Sequence, residues 1–253
     1  MKDLAGMSIL ITGASSGIGA GAARYFAERG ALVTICARRE DRLTEVCQQI
    51  GAAAHAVVGD VTVAADRKRM IREAIAHGDG LDTLINNAGN MYRGAITELE
   101  EQALLDIFHS NVIAGILLTG LATPELATRG GAVVFVGSIH TRRAFPGASP
   151  YAATKGALET LTGVLAAELG EQGIRVNCVV PGAVPTEIYQ RAGLLSDAEA
   201  RSRLEAMASM HPLGRIGSEA EIAEAMAYLI QAEWTTGAVL VVDGGLGLGS
   251  TNT

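Results

Sequence analysis

The chain has 253 residues, 49% of them apolar, and a formal net charge of −7. That length suits one domain with a large core, and an acidic surface repels phosphate backbones, which argues against nucleic acid as a partner. No unbroken run of about 18 apolar residues suggests a membrane span, and the opening six residues read as too short and too polar for a secretion signal.

Strand and helix patterns alternate along the chain. Apolar stretches of strand length fall at 8–12, 32–36, 54–58, 83–86, 132–137, 175–180 and 238–242, with helical patterns between them near 17–29, 41–50, 64–76, 101–121, 151–171 and 219–230. The strand stretches are apolar without alternation, as in strands buried on both faces. Strict alternation of strand and helix predicts an α/β fold, a parallel sheet covered by helices on both sides. No linker, repeat or low-complexity tract breaks the rhythm, so a single domain over 1–253 is expected. The exception is 185–217, which lacks a strand pattern and carries helical pieces rich in Ala, Leu and Met. A long insertion of this kind predicts a substrate lid.

The first strand runs into Thr12-Gly13-Ala14-Ser15-Ser16-Gly17-Ile18-Gly19, and a helix follows. Glycine lets the backbone turn sharply and approach a pyrophosphate closely. A helix N-terminus offers free N–H groups and a positive dipole end. The spacing is not GxGxxG, and taken alone the loop also fits a plain glycine-rich turn. Further on, Tyr151 and Lys155 open a helix after Pro150, one turn apart on one face. A free tyrosine, with a pKa of about 10, is a poor proton shuttle near neutrality, and a nearby ammonium favours its phenolate. Ser138 follows the strand 132–137, at the carboxyl edge where parallel sheets bind ligands.

These residues, with Asp60, Asn86-Asn87-Ala88-Gly89, Asn111, Pro181-Gly182 and Val242-Asp243-Gly244-Gly245, resemble the short-chain dehydrogenase/reductase family in order and spacing over almost the whole chain. The resemblance implies a Rossmann-type, doubly wound parallel sheet of seven strands. It implies an enzyme that moves a hydride between a nicotinamide cofactor and a carbonyl or secondary alcohol. By position, Tyr151 would be the general acid/base, Lys155 would lower its pKa and bind the nicotinamide ribose, and Ser138 would polarise the carbonyl. Asn111, inside the helix 101–121, would hold a water linking Lys155 to solvent. Gly13, Ser15, Ser16, Gly17, Ile18 and Gly19 would form the phosphate loop. Asp60 and Val61 would meet the adenine, and Asn87, Ala88 and Gly89 the adenosine ribose side. Pro181, Gly182, Val184 and Thr186 would hold the nicotinamide. Family members commonly form tetramers through the helices that match 101–121 and 151–171. Small residues at Ala152, Gly156, Gly163 and Ala167 suit such an approach, so a homotetramer is expected.

The end of the second strand bears on cofactor choice. An acid there accepts from a ribose 2′-hydroxyl and repels a 2′-phosphate. The family's acidic position falls on Ala37, and Arg38 and Arg39 follow, so NADP(H) is expected in preference to NAD(H). Ser15 would add a hydroxyl; Ser16 stands where some NADP-using relatives carry a base. The substrate is less legible. Expected pocket walls are Asn90, Met91, Ile139, His140, Phe145 and Ala183, together with Ile188, Tyr189, Leu194, Met207 and Met210 of the lid. His140 is also a candidate substrate hydrogen-bonding group, and Arg142 and Arg143 read most simply as surface residues. Relatives that reduce carrier-bound acyl groups place basic residues just before the fifth and sixth strands. This chain has Ala132 and Gln172 there, which weakens the case for a carrier-protein partner.

Other classes fit less well. A serine hydrolase needs Gly-x-Ser-x-Gly, and Val136 and His140 flank Ser138 instead. A non-catalytic NADP(H)-binding sensor is the remaining alternative, disfavoured by the intact Ser138, Tyr151 and Lys155. An extended-branch epimerase would carry a larger C-terminal region. Cys36, Cys47 and Cys178 fit no zinc or redox spacing and read as packing residues in a reducing, cytoplasmic setting. The five histidines are scattered, so no metal site is expected.

Overall fold

The structure, a computed structural model, describes residues 1–249. Seven strands form one parallel sheet in the order β3-β2-β1-β4-β5-β6-β7. They are β1 (Ser8–Thr12), β2 (Leu32–Ala37), β3 (Ala54–Val58), β4 (Thr83–Asn86), β5 (Ala132–Val136), β6 (Arg175–Pro181) and β7 (Val239–Val242). Every strand boundary lies within one residue of the sequence expectation. The physical reason is that β1, β4, β5 and β6 are buried at every position, so their apolar runs have no polar face to blur them.

Alternate side chains of each strand feed two cores. On one face Ile9 and Ile11 of β1 meet α1 (Gly17–Ala27), α2 (Glu40–Ile50) and α9 (Glu219–Gln231) through Phe26, Leu43 and Met226. On the other, Leu10 joins α3 (Ala64–Gly78), α5 (Ala114–Arg129) and α6 (Ser149–Gly170) through Met70, Leu118 and Leu158. Each fully buried Leu, Ile or Phe contributes about 1.5–3 kcal/mol. Buried Arg175 of β6 donates to the carbonyls of Leu229, Ile230 and Ala232, capping the negative end of α9 and tying it to the sheet.

The stretch 101–129 differs from the single helix expected over 101–121. It comprises α4 (Glu101–Phe108), a wide π turn over His109–Ile113, and α5, which ends at Gly130 with φ +56°. Pro124 lies on the exposed side of α5, so the helix continues past it. By length and composition Glu101–Arg129 is long and apolar enough to cross a bilayer. A count of unbroken apolar residues misses it, because Asp106, the triplet His109-Ser110-Asn111, and Gly115, Thr119 and Gly120 interrupt the run. Its inner side packs on the sheet through Leu118, Ala122 and Leu126, while Ile113, Ile116, Leu117 and Leu121 face outward.

Strand order reverses between β1 and β4, and at such a switch point the loops beyond the carboxyl ends part into a crevice. The segment expected to form a lid holds α7 (Ile188–Arg191) and α8 (Asp197–Ala208), and α8 starts on a capping box of Ser196 with Glu199.

Candidate active site

The crevice floor is the glycine loop. Gly13 and Gly17 adopt φ +66° and +55°, where a side chain is strained. Space is short as well: a Cβ built on Gly13 would lie 2.7 Å from Ala88 Cα, and one on Gly19 would lie 2.5 Å from Asn87 Nδ2. Asn87 pins the loop, donating to the Thr12 and Gly13 carbonyls at 2.8 and 3.1 Å. The Thr12 hydroxyl in turn accepts from the Asn87 and Ala88 N–H groups at 3.1 and 3.0 Å. Ser16, at the N-cap of α1, makes no side-chain cap bond. The first-turn N–H groups thus keep their capacity to bind an anion, and the loop fits the diphosphate of a dinucleotide.

At the mouth of β5 and the start of α6, Ser138, Tyr151 and Lys155 line the same cavity as Gly13, Ser16, Gly17, Ile18, Asn87 and Gly89. His140, Pro181, Gly182, Val184 and Thr186 complete the part expected from sequence. Tyr151 is 6% exposed and clusters with Met91 and Ile107, and Ile188 and Tyr189 of α7 pack against that cluster. Lys155 is 4% exposed; its ammonium donates to the Val136 carbonyl at 2.8 Å and stands 5.6 Å from the Tyr151 ring centre. Ser138 Oγ is 3.0 Å from His140 Nδ1, and the imidazole meets the Tyr151 ring edge-on at 5.0 Å.

Burial dominates the electrostatics. It pushes the Tyr151 phenol up to about 12, with the nearby Ser138 side chain opposing. It pushes Lys155 down to about 8 and His140 down to about 4. Lys155 is expected to lower the pKa of Tyr151, but here burial of the phenol dominates and the ammonium is bonded to the Val136 carbonyl. Tyr151 is a protonated acid at neutral pH, and His140 is neutral with a single N–H. When Nδ1 carries that proton and donates to Ser138 Oγ, the serine hydroxyl is free to donate onward to a substrate oxygen.

Asn111 and Gly19 stand outside both cavities. Gly19 lies in α1 against Asn87. Asn111 sits in the π turn and pairs with the Asn90 backbone, accepting from its N–H at 2.7 Å and donating to its carbonyl at 2.9 Å. It also donates to Thr154 Oγ1 at 3.1 Å, joining the β4 exit loop to α6. A Cβ on Gly89 would lie 3.3 Å from Asn111 Oδ1 and 3.6 Å from Lys155 Nζ, so the two polar groups flank one glycine.

A second, wider hollow of about 620 Å³ continues past the glycine loop and is lined by Ser15, Arg38, Arg39, Asp60, Val61 and Ala88. The two arginines differ in placement. Arg38 is 69% exposed, with Nη1 3.6 Å from Asp60 Oδ2. Arg39 lies on the glycine loop, its Nη2 3.0 Å from Ser15 Oγ and 2.8 Å from Ser16 Oγ. Arg191 of α7 lines both cavities and donates to the Gly89 carbonyl at 3.2 Å.

Among the expected substrate walls, Met91, Ile139, Ala183, Ile188, Tyr189 and Met207 line the inner cavity. Asn90 lines the outer one, Phe145 and Met210 lie behind in a supporting cluster, and Leu194 is partly exposed. Arg142 pairs with Glu159 and Arg143 donates to the Leu246 carbonyl, so both arginines are engaged within the fold. Sequence reasoning missed Leu204, Glu187 and Arg191, which line the inner cavity. It also missed Leu246, which a C-terminal turn buries beside Ile139 and Ala183. The Gly244-Gly245 pair before that turn, both at positive φ, was the available signal.

A phosphate loop at a switch point, with serine, buried phenol and ammonium converging beside it, defines an oxidoreductase that uses a nicotinamide cofactor. Residues 13–247 match the family model described as enoyl-(acyl carrier protein) reductase. The L-fucose dehydrogenase of Oryctolagus cuniculus is 36% identical over 97% of this chain and 87% of its own length. A short-chain dehydrogenase/reductase of Caenorhabditis elegans, solved with cofactor, superposes with a TM-score of 0.92 at 31% identity, covering 98% of both chains. A 3-ketoacyl-(acyl-carrier-protein) reductase from Brucella melitensis, complexed with NADH, gives 0.89 at 32% identity over 96% of this chain and 99% of that one. The chain belongs to the short-chain dehydrogenase/reductase family.

Proposed function

We propose that the protein transfers a hydride between NADP(H) and the carbonyl or secondary alcohol of a small or medium-sized organic substrate. The observation that carries this reading is the convergence of Ser138, Tyr151 and Lys155 on the cavity that also contains the glycine loop. The cofactor supplies or accepts the hydride. Ser138 donates a hydrogen bond to the substrate oxygen, and Tyr151 gives that oxygen its proton during reduction. Lys155 holds the nicotinamide ribose, and Asn111 anchors the β4 exit loop behind it and orders the water that would replenish the proton. The buried, protonated phenol is the form that carbonyl reduction requires. Gly13, Ser15, Ser16, Gly17, Ile18 and Gly19 hold the diphosphate; Asp60, Val61, Asn87, Ala88 and Gly89 hold the adenosine; Pro181, Gly182, Val184 and Thr186 hold the nicotinamide.

NADP(H) is favoured because Ala37 offers no carboxylate to a 2′-hydroxyl, while Arg38 and Arg39 bring two guanidinium groups to the outer hollow. Ile139, Ile188, Leu204 and Met207 make the inner wall apolar, with His140 as its polar feature. This suits a ketone or 3-oxoacyl group flanked by hydrocarbon. The whole chain acts as one catalytic domain under the 185–217 lid. A cytoplasmic homotetramer is the setting that fits the outward apolar face of α5 and the open glycines, Gly156 and Gly163, of α6.

The test is NADPH oxidation at 340 nm against a panel of ketones, with kcat/KM for NADPH and NADH in parallel. Tyr151→Phe should lower turnover by at least about 10²-fold while NADPH affinity is kept. Near-normal turnover by that variant would sink the mechanism, and NADPH binding with no turnover on any carbonyl or alcohol would favour the sensor.

A further inference from the structure

The lid sets a carboxylate on the phosphate loop. Arg39 spends its Nε and Nη2 groups on Ser15 and Ser16, and its Nη1 donates to Glu187 Oε2 at 2.7 Å. Arg42 lies 4.0 Å from the other oxygen of Glu187. Partial burial acts to raise the pKa of Glu187, but the bonds from Arg39 and Ser16 and the charge of Arg42 outweigh it and keep the carboxylate ionised. Glu187 is thus an anion seated where the loop gathers cations and hydroxyls, and hydride transfer as described above gives it no task.

Its position in the chain gives it leverage. Glu187 follows Thr186, whose methyl would lie 3.0 Å from a Cβ on Gly17, and precedes α7, whose Ile188 and Tyr189 pack against the cluster that contains Tyr151. The ion pair therefore ties the lid that covers the catalytic phenol to the wall of the adenosine hollow. At 34% and 36% side-chain exposure, Arg39 and Glu187 are open enough for another anion to compete. A 2′-phosphate beside Ser15 would be such an anion, since guanidinium binds phosphate with the same bidentate geometry as carboxylate. A 2′-hydroxyl has no charge with which to displace Glu187.

We propose that Glu187 is a resident anion that competes with the cofactor 2′-phosphate for Arg39. A 2′-phosphorylated cofactor then releases the lid from the phosphate loop, and a 2′-hydroxyl cofactor leaves it latched. The inference rests on the NADP(H) reading above. It makes Glu187 a specificity-determining residue that weakens NADP(H) and couples cofactor type to lid freedom.

The experiment is isothermal titration of the full chain with NADP+, NAD+, 2′,5′-ADP and 5′-AMP, for wild type, Glu187→Gln, Arg39→Gln and the double variant. Glu187→Gln should tighten NADP+ and 2′,5′-ADP about fivefold, the measure of a partly exposed ion pair, and leave NAD+ and 5′-AMP unchanged. In the Arg39→Gln background that gain should vanish. Amide exchange at 186–191 in wild type should speed up with 2′,5′-ADP and not with 5′-AMP. Unchanged or weaker 2′,5′-ADP binding by Glu187→Gln overturns the competition, as does a gain that persists without Arg39. Tighter binding of NAD+ than NADP+ by wild type would refute the cofactor preference alone; the Glu187→Gln shift tests the competition whichever cofactor wild type prefers.

Discussion

Lys155 offers a test of how strongly the site works against stability. Its ammonium is buried beneath Gly89, has one hydrogen bond, to Val136, and makes no carboxylate pair among the described residues. Burial lowers its pKa from 10.5 to about 8. At 1.36 kcal/mol per unit, that difference amounts to about 3 kcal/mol. The sign follows from proton binding. Below pH 8 both the folded and the unfolded chain hold the proton, and the folded state bears the whole desolvation cost. Between pH 8 and 10.5 the folded lysine has released its proton while the unfolded one keeps it, so stability rises with pH. Lys155→Met has no such proton. Urea unfolding of both proteins at fixed concentration from pH 7 to 10 should show the wild type gaining about 2–3 kcal/mol on the variant. A difference that stays flat across this range would mean that the ammonium is solvated or paired, and that the burial argument for the site is wrong.

Other consequences can be checked separately. Gly19→Ala places a methyl on Asn87 Nδ2 and should break the bonds that Asn87 makes to Thr12 and Gly13. NADPH binding should weaken about 5- to 100-fold, from a loss of about 1–3 kcal/mol, and unchanged affinity would show that Asn87 does not hold the loop. Light scattering at micromolar concentration should give a tetramer, and Ile116→Glu on the exposed face of α5 should dissociate it; a monomeric wild type would refute the assembly.

The sheet was legible because its central strands β1, β4, β5 and β6 are buried at every position, leaving short apolar runs in regular alternation with helical patterns. Ser138, Tyr151 and Lys155 were legible because their chemistry depends on spacing along one strand end and one helix face. What spacing cannot convey is burial: the same Tyr–Lys interval holds whatever packs around the phenol, and here burial raises its pKa. Arg38 and Arg39 were equally placed in sequence. Only the course of the chain after β2 decides that Arg39 folds onto Ser15 while Arg38 reaches toward Asp60. Glu187, Arg191 and Leu204 come from a segment without periodic pattern, and reach the site through the packing of α7 and α8. The π turn was invisible because its residues remain helical and differ from an α-turn only in number.

That turn has a consequence for how the chain tolerates change. A π turn is in effect one surplus residue absorbed within a helix. Deleting one residue between 109 and 113 would restore an unbroken α-helical ladder. The flanking helices would keep nearly their present faces, because the turn holds its extra residue without changing their phase, but the wide turn that aims Asn111 at the Asn90 backbone would be lost. Part of the active site is therefore written in the width of one helical turn. Residue-by-residue substitution leaves that information untouched, whereas a single insertion or deletion erases it while leaving the helix intact.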